Sequence, residues 1–264
     1  MEHEQQAVYV ERDGAVGTIV LNQPRKRNAL SLAMWEAIPA LLGELEADRA
    51  IRVIVIRGAG TDAFSAGADI SEFEEHRSTP EKAMAYGRRT HRAFDALTAC
   101  HKPTIALIHG FCIGGGCELA LCADVRVAGR SAQFGITPAR LGISLGWSDL
   151  RNLIWLCGPA NAKEILLTAG RFGAERAKEM GLVNRVVDDD KVEAEVAAVA
   201  KEMSEVSPAS VKWLKEAIEI VMRDPSLSTV DDPERRAASL FGGPDFREGV
   251  QAFLEKRRPN FRGE

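Results

Sequence analysis

Apolar and polar positions alternate along residues 7–22 on either side of Gly14, with Val8 and Val10 before it and Val16, Thr18 and Val20 after it. A period of two predicts a β-hairpin. From residue 31 the period lengthens. Leu32, Trp35, Ile38, Leu42 and Leu45 recur at helical spacing behind Ser31, a residue type that caps helices, so a helix is expected over 31–46. Val53, Ile54, Val55 and Ile56 form a continuous apolar run, which marks a buried strand at 53–57. Residues 80–99 read as a helix opening on Pro80, and 104–108 as a second buried strand. A short buried helix at 117–123 and a strand at 124–128 follow.

The pattern then changes. Residues 148–157 and 160–169 look helical, 174–180 reads as a helix stopped by Gly181, and 182–187 as a strand. From residue 190 onward the chain is nearly all helical, punctuated by Pro225, Pro233 and Pro244. Strand–helix units followed by helices indicate an α/β core, residues 1–200, with a C-terminal helical region, residues 201–264. The units are alike in outline, but no repeat of fixed period is visible.

Composition narrows the function classes. The 264 residues, 45% hydrophobic, suffice for a sizeable core. A net charge of −4 gives no basic field that would favour nucleic acid or a membrane surface. No apolar run reaches about 18 residues, and the polar, acidic start lacks the regions of a signal peptide, so a cytoplasmic enzyme is the expectation. The five cysteines (Cys100, Cys112, Cys117, Cys122, Cys157) lack a paired Cys-x2-Cys or nearby paired histidines. They read as buried, reduced thiols, with no metal site.

Two glycine-rich segments carry candidate chemistry. Residues 110–118 read Gly-Phe-Cys-Ile-Gly-Gly-Gly-Cys-Glu between an apolar strand and a helix. Three successive glycines leave bare backbone N–H groups at a helix start, where they can stabilise an anion forming on a substrate. Glu118 lies about one turn further on, so its carboxylate can reach the same cavity. Residues 64–70, Phe-Ser-Ala-Gly-Ala-Asp-Ile, follow the strand at 53–57 and again let a ligand approach the backbone. An anion hole beside a carboxylate suits enolate chemistry.

Together the segments resemble the enoyl-CoA hydratase/isomerase (crotonase) family. Asn28-Ala29-Leu30, Phe134-Gly135, Leu141-Gly142 and the ending Ala252-Phe253-Leu254-Glu255-Lys256-Arg257 extend the resemblance over nearly the whole chain. It implies a spiral of ββα units whose C-terminal helices pack into a homotrimer or a dimer of trimers. It also implies a coenzyme A thioester as substrate, with no tightly bound cofactor. The matching positions make Ala66 and Gly115 the N–H donors of the oxyanion hole and Glu118 the first of two catalytic glutamates. Lys26, in the basic run 25–27, would lie near the nucleotide, with Ala68, Asp69 and Ile70 against adenine. Lys256 would reach the coenzyme's phosphate from a neighbouring subunit.

The second glutamate is missing. Where the family pattern has Phe-Gly-x-Pro-Glu-x-x-Leu-Gly, this chain places Pro138 at the position of the acid. Asp149 is a possible substitute, although its ordinary reading, and the favoured one, is an acid or cap at a helix N-terminus. Arg140 could face the acyl pocket or pair with a surface acid. His109 reads as a strand-end core histidine, and Trp35, Trp147, Trp155 and Trp213 as core or interface. Hydration of a 2-enoyl-CoA to a 3-hydroxyacyl-CoA is the leading expectation. Decarboxylation of a malonyl-type thioester, enoyl isomerisation and weakly catalytic acyl-CoA binding stand behind it. Residues 137–142 and the chain's ending also resemble the methylmalonyl-CoA decarboxylase branch, but Leu145 stands where that branch has a tyrosine.

Overall fold

The computed structural model describes residues 6–263. β1 (Val8–Asp13) and β2 (Val16–Leu21) form the expected antiparallel hairpin, turning at Gly14. In α1 (Leu32–Ala47) the five apolar positions expected to face inward are all buried, and the Ser31 hydroxyl caps the helix by accepting from the Met34 N–H at 3.3 Å.

A unit of two strands followed by helix then recurs. β3 (Val53–Gly58) and β4 (Ala63–Ser65) lead to α2 (Phe73–Arg77) and α3 (Pro80–Ala99). β5 (Thr104–Ile108) and β6 (Phe111–Ile113) lead to α4 (Gly115–Leu121), and β7 (Val125–Gly129) and β8 (Gln133–Gly135) lead to α5 (Trp147–Thr168). After β9 (Phe172–Gly173) and α6 (Ala174–Glu179) comes β10 (Arg185–Val187). The first strand of each unit enters a six-stranded sheet of order β1-β2-β3-β5-β7-β10, and the second enters a four-stranded sheet of order β4-β6-β8-β9. β3, β5 and β7 pair in parallel, as do β4, β6 and β8. Parallel neighbours need a crossover, and the helix closing each unit supplies it.

The apolar runs are continuous because both faces of the large sheet are covered. Ile54 and Ile56 of β3, with Ala106 and Ile108 of β5, face the core shared with α1, α3 and α4. The alternate residues Val53, Val55, Ile105 and Leu107 meet Val192, Val196, Val199 and Ala200 of α7 (Val192–Ser204).

The second sheet leaves no mark in the apolar pattern, and only the ββα units implied by the family resemblance anticipate it. Its strands are two or three residues long, too short to display a period. The helix expected at 117–123 starts earlier, at Gly115, because Gly114 takes the cap position with a φ of 53°. The two helices expected at 148–157 and 160–169 are the halves of α5, separated at Gly158 (φ 73°, ψ 164°) ahead of Pro159. The strand expected at 182–187 contracts to β10, with Leu182 and Val183 buried in the turn before it.

Three C-terminal helices, α8 (Pro208–Arg223), α9 (Pro233–Ala237) and α10 (Pro244–Glu255), each open on proline. Asp245 ties the start of α10 to the N-cap of α8 and to the residues after α10, accepting from the Ser207 hydroxyl at 2.6 Å and from the Arg262 N–H at 3.0 Å. Among the described residues no helix is long and apolar enough to cross a membrane.

Candidate active site

The loop after β4 and helices α3, α4 and α5 meet around a cavity of about 180 Å³. Buried Asn28 fixes the approach to that loop by donating to the Ala59 and Ala63 carbonyls at 3.1 and 2.7 Å. The Leu30 N–H donates to the Gly67 carbonyl at 2.7 Å, and the Asp69 N–H to the Leu30 carbonyl at 2.9 Å. Gly67 has a φ of 98°, and a Cβ there would lie 2.9 Å from the Ile113 carbonyl oxygen. Only glycine lets the two backbones press this closely.

The result is a pair of amides on one wall. Neither the Ala68 nor the Gly115 N–H meets an acceptor among the described residues, and both residues line the cavity. A Cβ on Gly115 would lie 3.8 Å from the Ala68 nitrogen and 3.2 Å from the Trp35 ring, so the absent side chain keeps the space before these donors open. The expectation for Ala66 is corrected here. Its N–H donates to the Arg27 carbonyl at 2.9 Å and is not available to a ligand. The free amide in this loop belongs to Ala68, two residues on.

Glu118 projects from the first turn of α4 into the same cavity. Its carboxyl has no hydrogen-bond or ion-pair partner among the described residues. Burial pushes its pKa up to about 8, and the charge of Asp149 adds to the rise while His91 and Arg77 oppose it. At neutral pH Glu118 therefore favours its protonated form.

Asp149 does not cap α5. Gly146 is the N-cap and makes no side-chain cap bond. Asp149 turns inward instead, its side chain 7% exposed, and its Oδ2 lies 3.0 Å from His91 Nε2. His91 Nδ1 lies 2.7 Å from the Gly87 carbonyl. Both ring nitrogens thus face acceptors, a demand only the doubly protonated ring satisfies. The bond to Asp149 is the main cause that lifts the His91 pKa to about 9. Glu118 and Asp149 are the cavity's only carboxylic acids among the described residues.

Residues 11–264 match the profile of the enoyl-CoA hydratase/isomerase family. The chain belongs to this family. It is 34% identical to a crotonyl-CoA hydratase of Syntrophomonas wolfei over 96% of this chain and 97% of the relative. It is 32% identical to a short-chain-enoyl-CoA hydratase of Clostridium acetobutylicum over 95% of each. A crystal structure of an enoyl-CoA hydratase from Bacillus anthracis superposes with a TM-score of 0.91 at 33% identity, covering 98% of this chain and all of that one.

The remaining expected residues divide by place. Lys26 Nζ lies 2.5 Å from Asp69 Oδ2, at the base of the loop that supplies Ala68. Burial raises the Asp69 carboxyl, but hydrogen bonds from Lys26 and Ser71 outweigh it and hold the group below its ordinary value. Ile70 is 61% exposed at the cavity's rim, alongside Leu141 and Ile143. Lys256 caps α10 and is exposed, away from the cavity of its own chain. Pro138 lines the cavity in a 3-10 turn and offers no proton.

Arg140 serves neither use expected of it: its Nε donates to the Ala169 carbonyl at 2.5 Å and ties that turn to the end of α5. His109 is a buried strand-end histidine whose Nε2 lies 2.9 Å from Glu193 Oε1, a partner far off in sequence. Trp35 lies on the cavity wall, whereas Trp147 is 87% exposed. His91 escaped the sequence reading. The signal was slight: a histidine beside the buried stripe Tyr86, Thr90, Phe94 and Leu97 of α3.

Proposed function

We propose that this protein hydrates a 2-enoyl-CoA thioester to the 3-hydroxyacyl-CoA, through an enolate whose oxygen rests on the Ala68 and Gly115 amides. The observation that carries this reading is an unpartnered carboxyl, Glu118, lining one small cavity together with two unoccupied N–H donors, its pKa raised by burial. As water adds to C3, the π electrons pass to the thioester oxygen, and fixed donors stabilise that charge without reorganising. Glu118 stands ready to give its proton to C2.

Lys26 supplies a cation for the coenzyme's phosphates near the cavity mouth. The backbone of residues 68–70 and the exposed side chain of Ile70 offer a face to adenine. Lys256, exposed at the end of α10 and not among the residues lining its own cavity, serves the site of a neighbouring subunit. The C-terminal region, 201–264, assembles subunits of the 1–200 core as a trimer or a dimer of trimers. Exposed apolar residues support this: Leu214 and Ile218 on α8, and Val250, Phe253 and Leu254 on α10, beside an apolar groove of about 630 Å³. We place the enzyme in the cytoplasm.

Crotonyl-CoA mixed with the purified protein tests the activity. Loss of the enoyl-thioester absorbance, with a product heavier by one water, is expected. A protein that binds crotonyl-CoA and returns it unchanged refutes the reading.

A further inference from the structure

We propose that Asp149, held by His91, is the second acid–base group of this site and activates the water that adds to C3. The inference rests on the hydration reading above. It starts from a gap, since addition of water moves two protons and the turn at Pro138 offers none.

The geometry supplies the missing group from another element. Asp149 opens on the same cavity as Glu118, from the first turn of α5. His91 of α3 lies at hydrogen-bond distance, and its ring sits edge-on to Phe94, with centroids 5.6 Å apart, so its orientation is fixed by packing. Phe94 in turn stands edge-on to Trp35 of α1. Gly146 leaves room for the pair. Any side chain there would place its Cβ 2.5 Å from Asp149 Oδ2 and 2.7 Å from His91 Nε2.

Asp149 shares its cavity with His91 on α3, Glu118 on α4 and Arg77 on α2, its charge also reaches Cys122 at the end of α4, and Asp95 acts on His91. His91 sets a cation 3.0 Å from Asp149, whereas no side chain pairs with Glu118 among the described residues. Two carboxylic groups in unlike surroundings are thereby given opposite tasks.

The step balances. Asp149 takes a proton from water as the water oxygen bonds to C3. The C2–C3 π electrons move to the thioester oxygen. As the enolate collapses, Glu118 protonates C2. After product leaves, solvent carries the proton from Asp149 back to Glu118. Asp149 is then a catalytic residue and His91 a positioning residue.

The test uses the full-length protein and crotonyl-CoA, with four variants. Asp149→Asn is expected to lower kcat at least 100-fold, with KM within about threefold of wild type and an unchanged unfolding midpoint. Asp149→Glu is expected to restore part of that loss. His91→Gln, which keeps a donor toward Asp149, should lose about tenfold in kcat, and His91→Leu more, both without a change in KM. Asp149→Asn retaining over a third of the wild-type kcat overturns the proposal while leaving the hydration reading intact. So does a fall in its unfolding midpoint large enough to explain the loss, which assigns Asp149 a structural role. Wild-type kcat in His91→Leu overturns the pairing. Absence of hydration by the wild-type protein refutes the parent reading instead.

Discussion

Glu118 and Asp149 enter one cavity from successive helices, yet they meet opposite surroundings. His91 lies 3.0 Å from Asp149, whereas the Glu118 carboxyl has no hydrogen-bond or ion-pair partner among the described residues. Burial pushes Glu118 toward its protonated form. Only Asp149 has a cation at hydrogen-bond distance. The difference shows how a site can divide acid from base work between like side chains, through placement rather than residue type. It also explains how the cavity tolerates Pro138: the second carboxylate arrives on α5 and needs no place on the turn before it.

The sharpest way to break this comparison is to remove the protonated partner. Glu118→Gln keeps the shape and a hydrogen-bond donor but cannot transfer a proton. A loss of about 10³-fold in kcat on crotonyl-CoA is expected, with coenzyme binding retained. A variant that keeps even a tenth of wild-type turnover assigns the proton transfer elsewhere.

The next effect tests the amide wall. In Gly115→Ala the new methyl would sit 3.2 Å from the Trp35 ring and within 3.8 Å of the Ala68 nitrogen, in the space intended for the thioester oxygen. A fall in kcat on the order of 10²-fold is expected, comparable to losing one oxyanion donor. An unchanged kcat means the oxygen lies outside this gap.

Proton linkage then separates the carboxylates without chemistry. Glu118 titrates at about 8 in the folded protein against an ordinary value of 4.5, so between these pH values the folded state holds a proton that the unfolded chain has released. This group's stabilising contribution is complete below about pH 4.5 and is lost as pH rises through about 8. Glu118→Gln removes the dependence. Its unfolding midpoint should exceed that of wild type by several °C at pH 9 and match it at pH 4. Equal differences at both pH values contradict a protonated Glu118. Activity that needs the acid form should likewise fall as pH rises through about 8.

Legibility in the sequence followed the length and continuity of each signal. α1 repeats apolar residues over many turns and appears where its period places it, and α3 opens at Pro80 as expected. The three-residue strands β4, β6 and β8 carry no period, so the sheet that brings the glycine segments together was invisible. Gly115 and Glu118 share one turn of α4, and local spacing alone juxtaposes them. His91 and Asp149 stand 58 residues apart, and no local rule pairs them. Ala66 was misread because a motif fixes a loop's residues but not which of its N–H groups the fold consumes. The Arg27 carbonyl decides that, from across the sheet edge.

The smallest expected effect lies outside the cavity, at Lys26. Its ammonium is half-exposed and sits against Asp69, which is nearly buried and also accepts from Ser71. An exposed pair of this kind adds little to stability, typically under about 1 kcal/mol. A purely structural Lys26 therefore predicts a small loss of unfolding midpoint and no kinetic change. A Lys26 that neutralises a phosphate predicts the reverse: Lys26→Ala should raise KM for crotonyl-CoA about fivefold, roughly 1 kcal/mol, with kcat unchanged. Crotonyl-pantetheine, a thioester without the nucleotide phosphates, separates the two. The variant and the wild type should handle it alike, because the cation has nothing there to bind. A KM increase that persists with this truncated thioester means that Lys26 acts through Asp69 on the Ala68 loop rather than on the coenzyme.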